Sequence, residues 1–452
     1  MALSSTRRLD EAGYGIGALA SGSFATVPGL ILLFYMTDTL AVSAAVAGFV
    51  VLIPKLFDVF LNPIVGRLSD QTSSRFGARR PWILLGGVVF PLAFIAMFWT
   101  PLSGNEAAVW VAVTFTIASL SFSAFVVPWS SLPAEIGPDT RARTTMAAWR
   151  IAFLAVAILL SGGLAPTIVE NGDDARSGYK HMALTMGGIM MAAALVVVLI
   201  GARRSTQATT RPAAAAGFLA SYTMLRSSSP LRAMFWLVCL TEIASAVSLA
   251  STPYIANYVL GDAGAVAPLF IILTIPLLVT MPLWRAIAVR KGKTTALCIA
   301  LVIFAFGALV LASLAFVPQP LKISVAYAAA LITGMGFAGT SMLPQAMFAD
   351  ALAYETALRK ESSTGAMVGV WNAAETISGG VGAAAFALTL SLSGFISAGD
   401  GEAALQPSNA ILAITLAAGL IPAFAALVAL LPVRAFDLTE QDVDAATDRA
   451  VY

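Results

Sequence analysis

The feature that most constrains this chain is a series of apolar runs, each long enough to cross a lipid bilayer. A membrane-spanning helix needs about 20 mostly apolar residues. Such runs lie near 12–37, 46–66, 81–101, 107–133, 144–166 and 182–201, and again near 233–259, 265–287, 294–317, 323–348, 364–394 and 408–432. This order predicts an all-α integral membrane protein with about 12 transmembrane helices in two groups of six.

The composition agrees with a membrane protein and excludes several other classes. Of 452 residues, 59% are hydrophobic and 11% are charged, against about a quarter charged in a soluble domain. A formal charge of +2 leaves no strongly basic surface for a nucleic acid. His181 is the single histidine, and Cys239 and Cys298 lie within apolar runs. We therefore expect no metal, no cofactor and no enzymatic activity.

A polar, arginine-containing stretch separates the two groups of spans. We predict an N-terminal bundle over residues 1–202, a cytoplasmic linker over 203–232, a C-terminal bundle over 233–433 and a polar tail over 434–452. The first apolar run exceeds the apolar core of a signal peptide, so we interpret it as the first span.

The basic residues favour one orientation, because lysine and arginine near helix ends are retained on the cytoplasmic side. With both termini in the cytoplasm, most of the 26 basic residues lie on that side. The others are Arg176, Lys180 and Lys322, which would face outwards, and Lys55, Arg150 and Arg285, which lie within spans. We therefore predict cytoplasmic termini.

The two groups of spans carry similar local patterns. Pro128 is followed by Glu135 near the fourth predicted span, and Pro344 by Asp350 near the tenth. Basic residues and a tryptophan follow each acid. Such internal repetition is common in transporters whose binding site lies between two halves.

Residues 62–70 read NPIVGRLSD and residues 74–82 read SRFGARRPW. This stretch resembles the loop signature of the major facilitator superfamily, in the form of the glycoside-pentoside-hexuronide:cation symporters, which include the melibiose permease. Residues 127–136, 141–150 and 347–371 extend the resemblance over nearly the whole chain. The resemblance implies a major facilitator fold of two six-helix bundles and alternating-access transport of a sugar or glycoside. It also implies a monomer in the inner (cytoplasmic) membrane, with a small-molecule solute, a coupling cation and the lipid bilayer as partners.

The loop suggests a cytoplasmic gate. Asp70 follows one span and faces the basic residues that precede the next, so charge-assisted hydrogen bonds could clamp this end in one state. The alternative is a solvated basic loop that only sets topology. The residues that we assign to the gate are Gly66, Asp70, Arg75, Gly77, Arg79, Arg80, Glu135, Arg141 and Asp350.

Charged side chains within the spans are candidates for coupling, because inserting each is unfavourable by about 2.5–3.5 kcal/mol. Lys55 and Asp58 lie three residues apart on one helical face and could form an ion pair. The resemblance implies that Asp58 couples or contacts the solute; the alternative is a self-neutralised structural pair.

Some acids that the resemblance leads us to expect are missing. The positions where acidic residues are expected on the first, second and fourth spans hold Gly22, Asn62 and Val126 instead. Sodium would need several oxygen ligands with net negative charge. We therefore expect H⁺ in preference to Na⁺, or uncoupled facilitated transport.

Further residues are candidates for binding or coupling. Glu242 and Glu375 could each take up a proton within the membrane, or Glu242 could be a neutral hydrogen-bonded group. Arg150 could pair with Glu135 or Asp58, or extend to the interface. Trp129, Trp371 and Asn372 could hold a sugar ring, although core packing is the alternative for each tryptophan.

Three other functions stay open at this point. The chain could transport an amphiphilic or apolar metabolite or lipid, because Gly22 and Val126 replace expected acids. It could be a receptor or scaffold that binds a ligand without exchange across the membrane. An intramembrane enzyme is disfavoured because one histidine cannot complete a catalytic triad or a two-histidine metal motif.

Overall fold

The computed structural model describes residues 2–72, 74–136, 140–202, 225–359, 364–399, 404–438 and 442. Within these ranges, 11 helices are long and apolar enough to cross a membrane, or 12 if one bent pair forms a single span. The prediction of an all-α membrane protein with about 12 spans is thereby confirmed.

The helices form two compact units. Unit 1 comprises Met1–Pro212 and Phe395–Leu405, and unit 2 comprises Ala213–Gly394 and Gln406–Tyr452. The spans of unit 1 are α1 (Leu9–Leu32), α2 (Ala44–Asn62), α3 (Arg80–Phe98), α4 (Gly104–Pro133), α5 (Ala142–Glu170) and α6 (Ala175–Gly201). Those of unit 2 are α7 (Ser229–Leu260), α8 (Ala263–Val279 with Met281–Lys291), α9 (Lys293–Ala315), α10 (Gln319–Leu358), α11 (Met367–Leu392) and α12 (Ser408–Arg434).

Aromatic side chains and small residues build the interior of unit 1. The Phe24 ring packs on Phe90 and Phe122, with centroids 5.4 Å and 4.7 Å away. Gly86 on α3 lies against the backbone of α4, where an added Cβ would be 2.5 Å from the Phe125 nitrogen. Only a residue without a side chain permits this approach, which is how small residues bring membrane helices together.

The residues Phe395–Gly399 pack with unit 1, although the predicted bundles are contiguous in sequence. The Ala398 nitrogen donates to the Thr37 carbonyl at 3.0 Å, and the Ala41 nitrogen donates to the Ala398 carbonyl at 2.9 Å. These two backbone hydrogen bonds hold Ala398 beside the stretch between α1 and α2.

Unit 2 also depends on close helix contacts. An added Cβ at Gly334 on α10 would lie 2.2 Å from the Leu273 carbonyl oxygen, and one at Gly419 on α12 would lie 2.5 Å from the Ala308 carbonyl oxygen. The buried core is correspondingly rich in alanine. These contacts bring α10 against α8 and α12 against α9.

Span α8 is broken at Thr280, where its two halves meet at 45°. Pro282 is the second residue of the second half. Proline has no N–H for the helical hydrogen bonds, and its ring clashes with the carbonyl four residues earlier. The hydropathy pattern predicted one continuous run here because an average over apolar residues does not register a change of direction.

Parts of the predicted domain plan lie outside the described residues. These are 203–224 of the linker and 439–441 and 443–452 of the tail. The domain boundaries and the cytoplasmic position of the termini stay predictions.

Candidate functional site

Asp58 on α2 is held by a serine from another span. The Ser119 hydroxyl on α4 lies 2.8 Å from Asp58 Oδ1 and 2.7 Å from Oδ2. Ser119 is buried, Asp58 is half-buried, and the charge of Lys55 acts on Asp58 from the same helix. Ser119 could not be singled out from the sequence, because α4 carries several serines and only packing decides which one meets α2.

Asn62 lies one turn beyond Asp58 on α2. Its Oδ1 atom is buried and has no hydrogen-bond partner in the part of the chain that the structure describes. An amide oxygen is an acceptor with two lone pairs, and leaving it unpaired is unfavourable. The atom can therefore accept a hydrogen bond from a bound molecule or coordinate a cation.

Trp129 lies in the interior of unit 1. Its side chain is fully buried, its Nε1 donates to the Tyr14 carbonyl at 2.9 Å, and the Tyr14 ring stacks 5.3 Å away. Phe125 stacks at 5.9 Å, and the Arg150 guanidinium lies 4.8 Å from the ring centroid. These neighbours surround the indole, so in this conformation it packs the core and does not offer a free face to a sugar.

The candidates on α11 form a second cluster, within unit 2. Trp371 Nε1 donates to Glu375 Oε1 at 2.6 Å, and the Trp371 ring stacks 4.4 Å from Phe348. Trp371 is 7% exposed and Glu375 is half-buried, whereas Asn372 is exposed. Glu242 is half-buried on α7. The structure thus brings Trp371 and Glu375 together through a hydrogen bond within one helix.

The loop motif of unit 1 forms a hydrogen-bonded turn. Arg79 is 8% exposed, and its Nη1 donates to Ser69 Oγ at 2.7 Å. The Ser69 hydroxyl donates in turn to the Gly66 carbonyl at 2.9 Å. Gly77 has φ +90°, which explains the glycine in the motif because a side chain is strained in this region.

The other gate candidates differ in their surroundings. The exposed Arg75 guanidinium lies 4.7 Å from the Phe76 ring centroid, and the half-buried Arg80 begins α3. The side chains of Asp70, Glu135 and Arg141 lie outside those that the structure describes.

In unit 2, Asp350 forms an ion pair that the sequence did not predict. Lys293 Nζ lies 2.6 Å from Asp350 Oδ2, and both side chains are partly exposed. Lys293 begins α9 directly after Gly292, which has φ +84°. The sequence shows only that the basic Lys293 follows a glycine at the end of a helix, and this pattern does not identify Asp350 as its partner.

Two carboxylates within the spans, Asp58 and Glu375, accept hydrogen bonds from neutral donors. The Ser119 hydroxyl donates to Asp58, and the Trp371 indole N–H donates to Glu375. Over the described ranges, no group of three or more histidine, cysteine or acidic side chains could hold a metal ion. Each carboxylate can exist ionised or protonated, so the arrangement suits proton uptake and release.

Comparison with known proteins assigns the chain to a family. Residues 13–440 match the family described as MFS/sugar transport protein. The chain belongs to this family. The resemblance that the loop motif indicated is therefore confirmed, and so is the major facilitator fold.

Individual relatives agree with this assignment. The Escherichia coli K12 protein named glucuronide carrier protein homolog is 25% identical over 95% of this chain and 92% of its own length. The inner membrane symporter YicJ of Escherichia coli K12 is 29% identical over 38% of each chain, so this match spans well under half of the relative. A crystal structure of a D-xylose-proton symporter superposes with a TM-score of 0.65 at 15% identity, covering 93% of this chain and 96% of the other, which supports the fold.

Proposed function

We propose that the protein is a secondary transporter that moves a small organic solute, a sugar or glycoside, across the inner membrane together with a proton. The observation that carries the proposal is Asp58, a carboxylate within a membrane span that accepts hydrogen bonds from the Ser119 hydroxyl at 2.7–2.8 Å. Membership of the family supports transport, and the names of the relatives supply the solute class and a coupling cation.

A proton suits these residues better than sodium. Sodium would need a shell of oxygen ligands with net negative charge. The atoms near Asp58 offer one carboxylate, one serine hydroxyl and the Asn62 amide oxygen, with the positive Lys55 beside them. A carboxylate in this setting can instead alternate between ionised and protonated forms.

Alternating access requires that one end of the protein opens while the other closes. The Arg79–Ser69 hydrogen bond in unit 1 and the Lys293–Asp350 ion pair in unit 2 lie at helix ends, where charge-assisted contacts can form and break. We propose that these contacts belong to the cytoplasmic gate of a monomeric transporter whose termini are cytoplasmic.

The first experiment is a ligand-stabilisation screen of the purified protein in detergent. A ligand that binds only the folded state, at about 100 times its Kd, adds roughly 2.7 kcal/mol to the free energy of unfolding. The panel contains mono- and disaccharides, uronides, alkyl glycosides, lysophospholipids and aromatic acids. Each compound is tested at an acidic and a neutral pH, with and without sodium.

We expect stabilisation by one sugar or glycoside, stronger at acidic pH and indifferent to sodium. Stabilisation by amphiphiles alone would indicate that the transported solute is lipid-like and is not a sugar. A ligand that binds without counterflow in sealed vesicles would indicate a receptor and would overturn transport.

A further inference from the structure

The hydroxyl of Ser119 forms its hydrogen bond with another helix, whereas two threonines on the same helix bond to their own backbone. Thr114 and Thr116, also on α4, donate to backbone carbonyls one turn earlier, at 2.8 Å to Trp110 and 2.6 Å to Ala112. A serine or threonine hydroxyl inside a helix commonly forms this hydrogen bond with the backbone carbonyl one turn earlier. Ser119 instead reaches α2 and contacts both oxygens of Asp58.

The direction of this hydrogen bond depends on the charge of Asp58. An ionised carboxylate only accepts, so the single hydroxyl proton of Ser119 must point towards it. A protonated carboxyl group has a proton to donate, and the serine oxygen becomes the nearest acceptor. The Ser119 proton is then released to another acceptor, and the carbonyl of Phe115 lies one turn back on the same helix, as in the two threonines.

We propose that Ser119 is the positioning residue for the proton-carrying carboxylate: it donates to ionised Asp58 and accepts from protonated Asp58, and so holds both forms in one place between α2 and α4. The inference rests on the proposed function, in which Asp58 carries the coupling proton. No covalent bond of the serine changes, because only the carboxyl group gains or loses the proton.

The described elements that pack around this pair also carry charged groups. Lys55 acts on Asp58 from its own helix. Span α4 carries Glu106 near its start, and Glu135 follows its end. The helical turn Tyr35–Thr39, which also packs against α2, carries Asp38. The hydroxyl of Ser119 contacts the carboxylate directly, and Lys55 is a charged group whose own titration must be considered with that of Asp58.

The test is an infrared pH titration of the protein in lipid vesicles, which requires no substrate. The carbonyl stretch of a protonated carboxyl group reports both protonation and hydrogen bonding. The band of Asp58 is assigned by its loss in Asp58→Asn. The variants compared with the wild type are Ser119→Ala, Ser119→Thr and Ser119→Cys. The control is Thr114→Val, which removes a buried hydroxyl that bonds to its own helix.

In Ser119→Ala we expect the Asp58 band to move to the frequency of a more weakly hydrogen-bonded carboxyl group. Its pH midpoint should move upwards by about one to two pH units, because a donor to the ionised form is lost. Ser119→Thr should restore both features, Ser119→Cys should give intermediate values because a thiol is a weak donor, and Thr114→Val should match the wild type.

The outcomes separate this inference from the proposed function. If Asp58→Asn leaves the spectrum unchanged over the whole titration, Asp58 does not take up a proton and the proton-coupling proposal fails. If the Asp58 band is present but Ser119→Ala leaves both frequency and midpoint unchanged, Ser119 has no positioning role. Should the alanine variant not fold, an Asp58 band in Ser119→Cys identical to the wild type overturns the inference equally.

Discussion

Lys293 Nζ lies 2.6 Å from Asp350 Oδ2, which joins the first residue of α9 to the C-terminal part of α10. Both side chains are about 30% exposed, at 28% and 29%. Solvent therefore screens the pair, and its contribution to the free energy of unfolding should be small, about 0.2–1 kcal/mol. A role in gating would make the pair matter for transport more than for stability.

We predict that Lys293→Gln and Asp350→Asn each change the rate of solute exchange while shifting the melting temperature only slightly. The charge-swapped double variant Lys293→Asp/Asp350→Lys should recover the rate. Exposed Lys291 provides the matched control Lys291→Gln. Equal effects at positions 293 and 291 would mean that the ion pair has no special role.

Arg79 is expected to matter for stability, unlike its neighbours in the motif. Arg79→Lys loses the planar guanidinium that donates to buried Ser69, and we expect the free energy of unfolding to fall by about 1–3 kcal/mol. Arg75→Lys, at an exposed position, should lie within about 0.5 kcal/mol of the wild type. Thermal unfolding in detergent measures both, and similar losses for the two variants would contradict the distinction.

The close contact of α3 with α4 predicts a clear difference between two glycines. Gly86→Ala places a Cβ 2.5 Å from the Phe125 nitrogen and should lower the free energy of unfolding by about 1–3 kcal/mol. Gly188→Ala, on the exposed side of α6, meets no atom within 4 Å and should be neutral or stabilising by up to about 1 kcal/mol. If Gly86→Ala melts at or above the wild-type temperature, the helices do not pack as described.

Substitution of the two tryptophans that we predicted from the sequence to hold a sugar ring should have different effects on ligand binding. Trp129→Phe removes a donor to the Tyr14 carbonyl in the core, so we expect about 1 kcal/mol less stability and unchanged ligand affinity. Trp371→Phe removes the donor to Glu375 and should change ligand affinity or its pH dependence. Isothermal titration calorimetry with the ligand from the screen compares the two variants. Weaker binding in Trp129→Phe than in Trp371→Phe would indicate that Trp129 contacts the ligand.

The sequence predicted the number and class of the helices well because hydropathy is a property of single segments. Twelve apolar runs, the polar break near 203–232 and the loop motif at 62–82 were enough for the architecture. The bend at Thr280 was missed because hydropathy averages do not record direction. The pairing of Ala398 with Thr37 and Ala41 was missed because it depends on backbone hydrogen bonds between distant residues.

The candidate site was predicted less completely than the fold. Asp58 and Glu375 stood out because an ionisable group within a span is unfavourable, and Asn62 because it stands where the family resemblance leads us to expect an acid. Their partners did not: Ser119 and Lys293 are ordinary residues until packing brings them to a carboxylate. Trp129 shows the opposite case, a conspicuous residue that the surrounding rings enclose.

Uptake and exchange of the solute by proteoliposomes containing wild-type protein or Asp58→Asn test the coupling role of Asp58 most directly. We expect an inward proton gradient to drive the wild type to accumulate solute. Asp58→Asn should only equalise the solute on the two sides, while exchange keeps the same order of magnitude. Accumulation by Asp58→Asn equal to that of the wild type would contradict the assignment of the coupling proton to Asp58.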